Sequence, residues 1–291
     1  MNRFCVLRCG WPIFSALLLI VLVSGCGNDD STKPAPTPSP KVSMSLGCNN
    51  GLIDLKVKNS GAAMTEPSPF IAAFTDGHSD TLLLGVGARD SVTCRLSNVH
   101  GGVTVSSATW NLLANTDDCL AAYFESLVAP IDLGSYIPSP LTTIDLVVCT
   151  YTISLRNFHY TPVTFQLIRT AEGLTLRYVY SNITADISAP APGWWCADIT
   201  GNLAISSVVV ETKINIGAGE DPPVTLGETK TTIDGLQVNI NGTFGTVVSW
   251  IVNWFSDNFA NMLANAIGSA INDSVGADLK GLVIVRSSCE E

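Results

Sequence analysis

The side chains able to do acid–base, nucleophilic or metal chemistry are few, and their spacing suits none of it. Three histidines, His78, His100 and His159, sit in unrelated segments. No GxSxG, HExxH, glycine-rich phosphate loop or paired-carboxylate motif occurs. Serine is abundant, but no Ser/His/Asp set can be assembled, and His159 in "RNFHYTP" reads as a strand surface residue. The expectation is a protein that is not an enzyme, with no catalytic residue, no cofactor and no metal. Cysteine is the remaining reactive type. Of nine cysteines, six follow Cys26: Cys48, Cys94, Cys119, Cys149, Cys196 and Cys289. No CxxC pair is present, so disulfides are favoured over metal ligation, provided the compartment is oxidising.

The start of the chain supplies that compartment. Residues 1–25 read as a signal peptide, with Arg3 and Arg8 before the apolar run "PIFSALLLIVLV". That run falls short of the ~20 residues a membrane span needs. It ends in "LVSGCGNDD", where Val23, Ser24 and Gly25 lead to Cys26. This resembles a bacterial lipobox, which implies that Cys26 becomes a lipid-bearing N-terminus. Gly27, in place of Asp, implies sorting to the outer membrane, facing periplasm or cell exterior. "DDSTKPAPTPSPK" has no large apolar residue to bury, so 26–42 reads as an extended tether. The six later cysteines then suggest three disulfides.

The whole chain has 15 Lys and Arg against 25 Asp and Glu; without Arg3 and Arg8 the balance past Cys26 is 13 against 25, or −12. Such acidity argues against nucleic acid and against electrostatic attraction to anionic membranes. Only 14% of residues are charged, and Val, Ile, Leu and Thr dominate, which is β-rich material.

Residues 43–126 read as an all-β sandwich of short strands. In "LIDLKVKNSGAA", Ile53, Leu55 and Val57 alternate before an Asn59-Ser60-Gly61 turn, and Asp76-Gly77 marks a hairpin. The segments "VKNSGAA", "LGVGARDSVT" and "ANTDDCLAAYFES" resemble the cell-adhesion-related (CARDB-like) bacterial Ig domains. A Cys48–Cys94 bridge between its sheets is expected, with Trp110 in the core. Residues 127–142, marked by Pro130, Pro138 and Pro140, read as a linker.

From 143 to 291 the strands lengthen into an α+β pattern. "LTLRYVYSNITADIS" places Leu174, Leu176, Tyr178 and Tyr180 on one face, then shifts phase to Ile183, Ala185 and Ile187, as a bulge would. Strands twice the ordinary 5–6 residues imply a long, strongly twisted and curved antiparallel sheet. In "FGTVVSWIVNWFSDNFANMLANAIGSAI", residues 244–271, apolar side chains recur every three or four positions and Asn, Asp and Ser fill the other face. That is one amphipathic helix, ~40 Å long at ~1.5 Å per residue, which only the long sheet could cover.

A long sheet wrapped on a long C-terminal helix resembles the tubular lipid-binding (TULIP) domains, in particular the N-terminal half of bactericidal/permeability-increasing protein-like lipid-binding chains. The likeness lies in "ISLRNFHY", in "VTFQLIRTAEGLTLRYVYSNITADIS" joined at Glu172-Gly173, in "GWWCADITGNLAISSVVVETKINI", and in the strand entering the helix. It implies binding of phospholipid or fatty-acid-like ligands in a cleft between sheet and helix. The lining expected is Phe165, Leu167, Leu176, Tyr178, Ile251, Phe255, Phe259, Met262 and Leu263. Trp194 and Trp195 are expected at a tip touching membrane or a lipid entrance. The family's long N-terminal helix is reduced here to residues 117–128 at most, its cationic tips are absent, and a lone domain of this kind implies a homodimer or a short tube. The alternative is an envelope interaction or adhesion protein, in which the Ig-like half binds a partner and the second half is a closed scaffold.

Overall fold

The computed structural model describes residues 37–145, 149–170, 173–218, 224–241, 245–276 and 279–290. From Pro38 onward they belong to one compact unit. The segments expected to be a signal peptide (1–25) and most of a tether (26–42), with the expected lipidation site Cys26, lie outside the described residues. Short strands come first: β1 (Val42–Asn49), β2 (Leu52–Asn59), β3 (Ser68–Phe74), β4 (Ser79–Leu84), β5 (Ser91–Leu96), β6 (Val103–Ser107) and β7 (Leu112–Thr116). Helices α1 (Cys119–Val128) and α2 (Leu133–Tyr136) follow, then β8 (Thr142–Asp145), β9 (Thr150–Thr170), β10 (Gly173–Ala189), β11 (Ile199–Ile216), β12 (Val224–Asp234) and β13 (Gln237–Asn241). The C-terminal helix comprises α3 (Gly245–Trp254), a π turn (Phe255–Phe259), α4 (Ala260–Ile271) and a second π turn (Asn272–Gly276); α5 (Leu279–Leu282) and β14 (Ser288–Glu290) end the chain.

Two antiparallel four-stranded sheets enclose the first core, in the orders β1-β2-β5-β14 and β4-β3-β6-β7. Alternation builds it: β2 turns in Ile53, Leu55 and Val57, and β3 turns in Phe70, Ala72 and Phe74. The β1–β2 hairpin closes on Asn50 and Gly51, both at positive φ (49° and 81°), the pair a two-residue turn of that hand requires. Asn59 is wholly buried and ties its turn down. Its Oδ1 accepts from the Lys41 and Gly61 N–H groups at 3.0 Å, and its Nδ2 donates to the Gly87 carbonyl at 3.0 Å.

The expected Cys48–Cys94 bridge does not form. Cys48 pairs with Cys119 and Cys94 with Cys289, while Cys149 pairs with Cys196. The reason is topological: β14 comes back from the far end of the sequence to lie beside β5, with Cys289 opposite Cys94. The sheet of the first half is thus completed by the last residues of the chain. Asn98 seals the return, donating from Nδ2 to the Gly51 and Leu282 carbonyls (2.8 and 2.7 Å) and accepting from the Ile284 N–H at 2.9 Å. The stretch expected as a linker is packed as well. Ile131, Leu133 and Ile137 are buried, and the Tyr160 hydroxyl donates to the Ile131 carbonyl at 2.7 Å.

The long sheet runs β12-β11-β10-β9-β8, with β13 on the same edge of β11 as β12. Its inner face alternates as expected, and the alternation slips at Ser181–Asn182, with Asn182 at φ 53°. The slip is not confined to β10. Burial changes phase at Thr161–Pro162 in β9 and at Ser206–Ser207 in β11, and β12 gives way to β13 at Gly235 (φ 68°). Cross-strand pairing puts these breaks on one transverse line, for Ser181 faces Thr161 on one side and Ser207 on the other; β9 has a further break off that line, at Arg156–Asn157 with Asn157 at φ 51°, where Arg156 faces Asp186. Hydrogen bonds hold the shared line: Thr161 Oγ1 donates to the Ser181 carbonyl at 2.6 Å, and Asn182 Nδ2 donates to Thr161 Oγ1 at 3.1 Å. A bulge bends a strand and raises its twist, so this line is the crease of the sheet.

The helix presents Ile251, Phe255, Phe259, Leu263, Ile267, Ile271 and Val275, one every fourth residue and all essentially without exposure. In a regular α-helix each four-residue step overshoots a full turn by about 40°, so such a ladder walks round the helix. A π turn holds one extra residue and sets the phase back. Those at Phe255–Phe259 and Asn272–Gly276 keep the ladder on the sheet. Ser256 and Asn258 on the outer side donate to the carbonyls of Val252 (3.0 Å) and Trp254 (3.1 Å) beside the first π turn.

Candidate functional site

Ladder and inner sheet face meet in a dry seam. Leu176, Tyr178, Ile251, Phe255, Phe259 and Leu263 have 0% exposure. A side chain with no accessible surface borders no space that would hold even a water, so these six line no open cleft in this structure. Phe165, Leu167 and Met262 are half-buried against the same core. Phe165 edges a small pit of about 100 Å³ beside α1, with Val128, Tyr160 and Val163. Met262 borders a shallower cleft of about 580 Å³ under Tyr136 and Pro138. The amphipathic pattern identified the buried face but not whether that face is full.

Three hydroxyls interrupt the apolar seam without a partner: Tyr178 Oη, Tyr180 Oη and Thr231 Oγ1. Burial, and then Tyr180 beside Tyr178 and Tyr160 beside Tyr180, pushes the pKa of both tyrosines well above the ordinary 10, so both stay neutral. Nearby, Thr212 and Thr229 satisfy each other at 3.0 Å. Sequence reasoning placed Tyr178 and Tyr180 on one face, named only Tyr178 as a lining residue, and did not reach Thr231. The signal it had was their place in the same alternation.

The loop between β10 and β11 carries Trp194 and Trp195, 92% and 60% exposed, with rings edge to face at 5.6 Å. The loop itself is pinned. Cys196 is bonded to Cys149, the Cys196 N–H donates to the Gly193 carbonyl at 3.0 Å, and the Ala191 N–H donates to Asp198 Oδ1 at 2.7 Å. From β9 the Tyr151 hydroxyl donates to the Ala197 carbonyl at 3.1 Å. Two indoles thus stand in solvent on a fixed support at the end of the sheet.

Two of the three histidines are brought together after all. His78 and His100 stack nearly parallel (17°) with ring centres 4.0 Å apart. His100 Nδ1 lies 2.7 Å from Asp76 Oδ2, and His78 Nε2 lies 3.1 Å from Asp80 Oδ1. Partial burial works to raise the Asp76 pKa, but the His78 N–H and the His100 ring outweigh it and hold the carboxyl below the usual range. Among the described residues no three His, Cys, Asp or Glu converge as metal ligands. His159 stays apart, on the outer face of the long sheet. Arg169 is the other polar junction: Nε donates to the Val99 carbonyl at 2.7 Å, and both Nη atoms grip Asp118, which caps α1.

No family profile matches the chain, and no curated protein matches it. Among solved structures, the crystal structure of a lipopolysaccharide binding protein aligns with 18% identity and a TM-score of 0.38, over 55% of this chain. The alignment spans 39% of that protein's chain, well under half its length.

Proposed function

We propose that this protein is a non-enzymatic, lipid-binding lipoprotein of the bacterial envelope. It is held to the outer membrane through an acylated Cys26, and it takes the acyl chains of a phospholipid or fatty-acid-like ligand between long sheet and helix, on a TULIP-like plan. The observation that carries this reading is the tryptophan tip. Indole favours the boundary between apolar chains and water, and here two adjacent indoles are exposed on a loop locked by a disulfide, on a chain too acidic to be drawn to anionic surfaces by charge. The seam adds capacity, since a buried methylene contributes about 0.8 kcal/mol. A chain of ten or so methylenes would offset a substantial cost of opening a packed interface.

A second reading has its own support, in the closed seam and in the outer face of the β4-β3-β6-β7 sheet. That face exposes Leu83, Ile71 and Leu113 among Pro, Ser, Thr, Ala and Asn, with no charged side chain. It suits an adhesion protein whose Ig-like half binds a partner over a scaffold. Native mass spectrometry of the protein from Pro38 onward, exported and then incubated with phospholipid vesicles, separates the two. A stoichiometric adduct that extracts as phospholipid or fatty acid supports the carrier; a bare polypeptide mass before and after incubation leaves the scaffold.

A further inference from the structure

The three unpartnered hydroxyls are not scattered. Tyr178 pairs across the sheet with Phe165 on β9 and with Val210 on β11, and Val210 in turn pairs with Thr231 on β12. Tyr178 and Thr231 therefore share one transverse row, and Tyr180 is the next inward position on the same strand. Other hydroxyls on this face are satisfied, Thr212 by Thr229 one row along and Tyr160 by the Ile131 carbonyl. An unpartnered buried polar group costs about 1–3 kcal/mol, where phenylalanine or valine of the same shape would cost nothing of the kind. In the first half Ser107 and Trp110, at the β6–β7 turn, and Asp54 Oδ1 on β2, with Arg95 Nε 3.5 Å away, also have no hydrogen-bond partner, but they lie away from the seam.

We propose that Tyr178, Tyr180 and Thr231 form a hydrogen-bonding site for the carbonyl groups of a neutral acyl lipid, an acylglycerol, which enters beside Phe165 and parts sheet from helix. The proposal rests on the lipid-binding reading above and narrows its ligand class from phospholipid or fatty acid to a neutral acyl lipid. Hydroxyls donate to ester carbonyls, and an acylglycerol brings two or more of these with chains matched to the apolar seam. Charge decides against the other polar lipids at this position. Among the described residues the buried polar side chains other than tyrosine are Asn59, Ser68, Ser97, Asn98, Ser107 and Thr212, with no cation among them, so a carboxylate or phosphate here would be buried unpaired. The way in is the pit beside α1. Phe165 forms part of its wall, and the Phe165 ring lies 5.4 Å from the ring of Tyr178. Moving that one half-buried side chain connects the surface to the row. In the closed form the three hydroxyls are a standing penalty, which occupancy removes.

The test uses the protein from Pro38 onward, diacylglycerol presented in phosphatidylcholine vesicles, oleate at pH 8, and hexadecane as a chain without a polar group. Diacylglycerol is expected to bind at least about tenfold more tightly than oleate. Tyr178→Phe alone is expected to lose about tenfold in diacylglycerol affinity, the worth of one lost hydrogen bond of about 1.4 kcal/mol, and the variant that adds Tyr180→Phe and Thr231→Val is expected to lose more than the single one. Hexadecane binding should be unchanged, and thermal unfolding of the empty protein should move up. Unchanged diacylglycerol affinity in Tyr178→Phe overturns the site and leaves the lipid-binding reading intact. A lower unfolding temperature for empty Tyr178→Phe also overturns it, because the hydroxyl would then be bonded already. Failure of the unaltered protein to take up any of the three probes overturns both readings together.

Discussion

The two β regions of this chain keep one side buried by different means. In the first half no strand exceeds eight residues, and β3 buries every second residue from Ser68 to Phe74 without a slip. In the second half β10 has 17 residues and β11 has 18, and each loses step once, at the shared crease. Composition does not separate the two, since both alternate β-branched and aromatic residues with small polar ones. Length does. Twist accumulates along a strand, and over so many residues it would carry the inner row off the helix unless a bulge resets it. The helix faces the same arithmetic and answers it with π turns.

The comparison can be pressed hardest through the cores. Phe70 in the first half and Phe259 in the second are both fully buried. Replacing either by alanine is expected to lower stability by about 3–5 kcal/mol. Urea unfolding should stay a single transition in both variants, because β14, Asn98 and Arg169 join the halves; two transitions in either would make them separate units. Next in size is Cys289→Ser, which frees β14 from a link spanning 195 residues. A loss of about 2–4 kcal/mol is expected, with hydrogen exchange quickened at β5 and unchanged at β10. Gly235→Ala tests the crease. The position has φ 68°, and an added Cβ would collide with the Ser206 side chain, so a loss of about 1–3 kcal/mol is expected. Gly47→Ala in β1, where the same Cβ meets nothing, should stay within about 0.5 kcal/mol.

The smallest effect is expected at Asp76. Its folded pKa lies below the usual 3.8, so its contribution is present above the unfolded value and is lost as pH falls through the folded one. The carboxylate is largely solvated, and Asp76→Asn should cost less than about 1 kcal/mol at pH 7. The gap between the two proteins should close below about pH 4. A gap that persists well below that pH would mean that Asp76 makes no such contribution.

Periodicity made much of this legible. The alternation in β2, the Asp76-Gly77 hairpin, the phase shift after Tyr180 and the amphipathic helix are all present in the structure, because each is a local pattern with a physical period. What periods do not encode was missed. β14 is three residues, "SCE", too short to alternate, and its partner β5 lies about 195 residues away. With it went the pairing of Cys94, and the Cys48–Cys94 expectation failed for want of a strand rather than of a cysteine. Likewise nothing in the spacing of His78 and His100 announces that they stack, since their meeting depends on how β3, β4 and β6 are laid side by side. The seam is the plainest limit. Apolar positions state what is kept from water, and only coordinates state whether a gap is left.

The return of β14 also sets an order of events. A chain synthesised from its N-terminus delivers residues 288–290 after every other strand among the described residues, yet the sheet holding β1, β2 and β5 lacks its edge strand until they arrive. The segment that seals Asn98, at Leu282 and Ile284, arrives only just before them. Contacts so distant along the chain are slow to form. The half made first is thus the last to be finished, and until then β5 presents an open edge to whatever chaperone or neighbouring chain meets it.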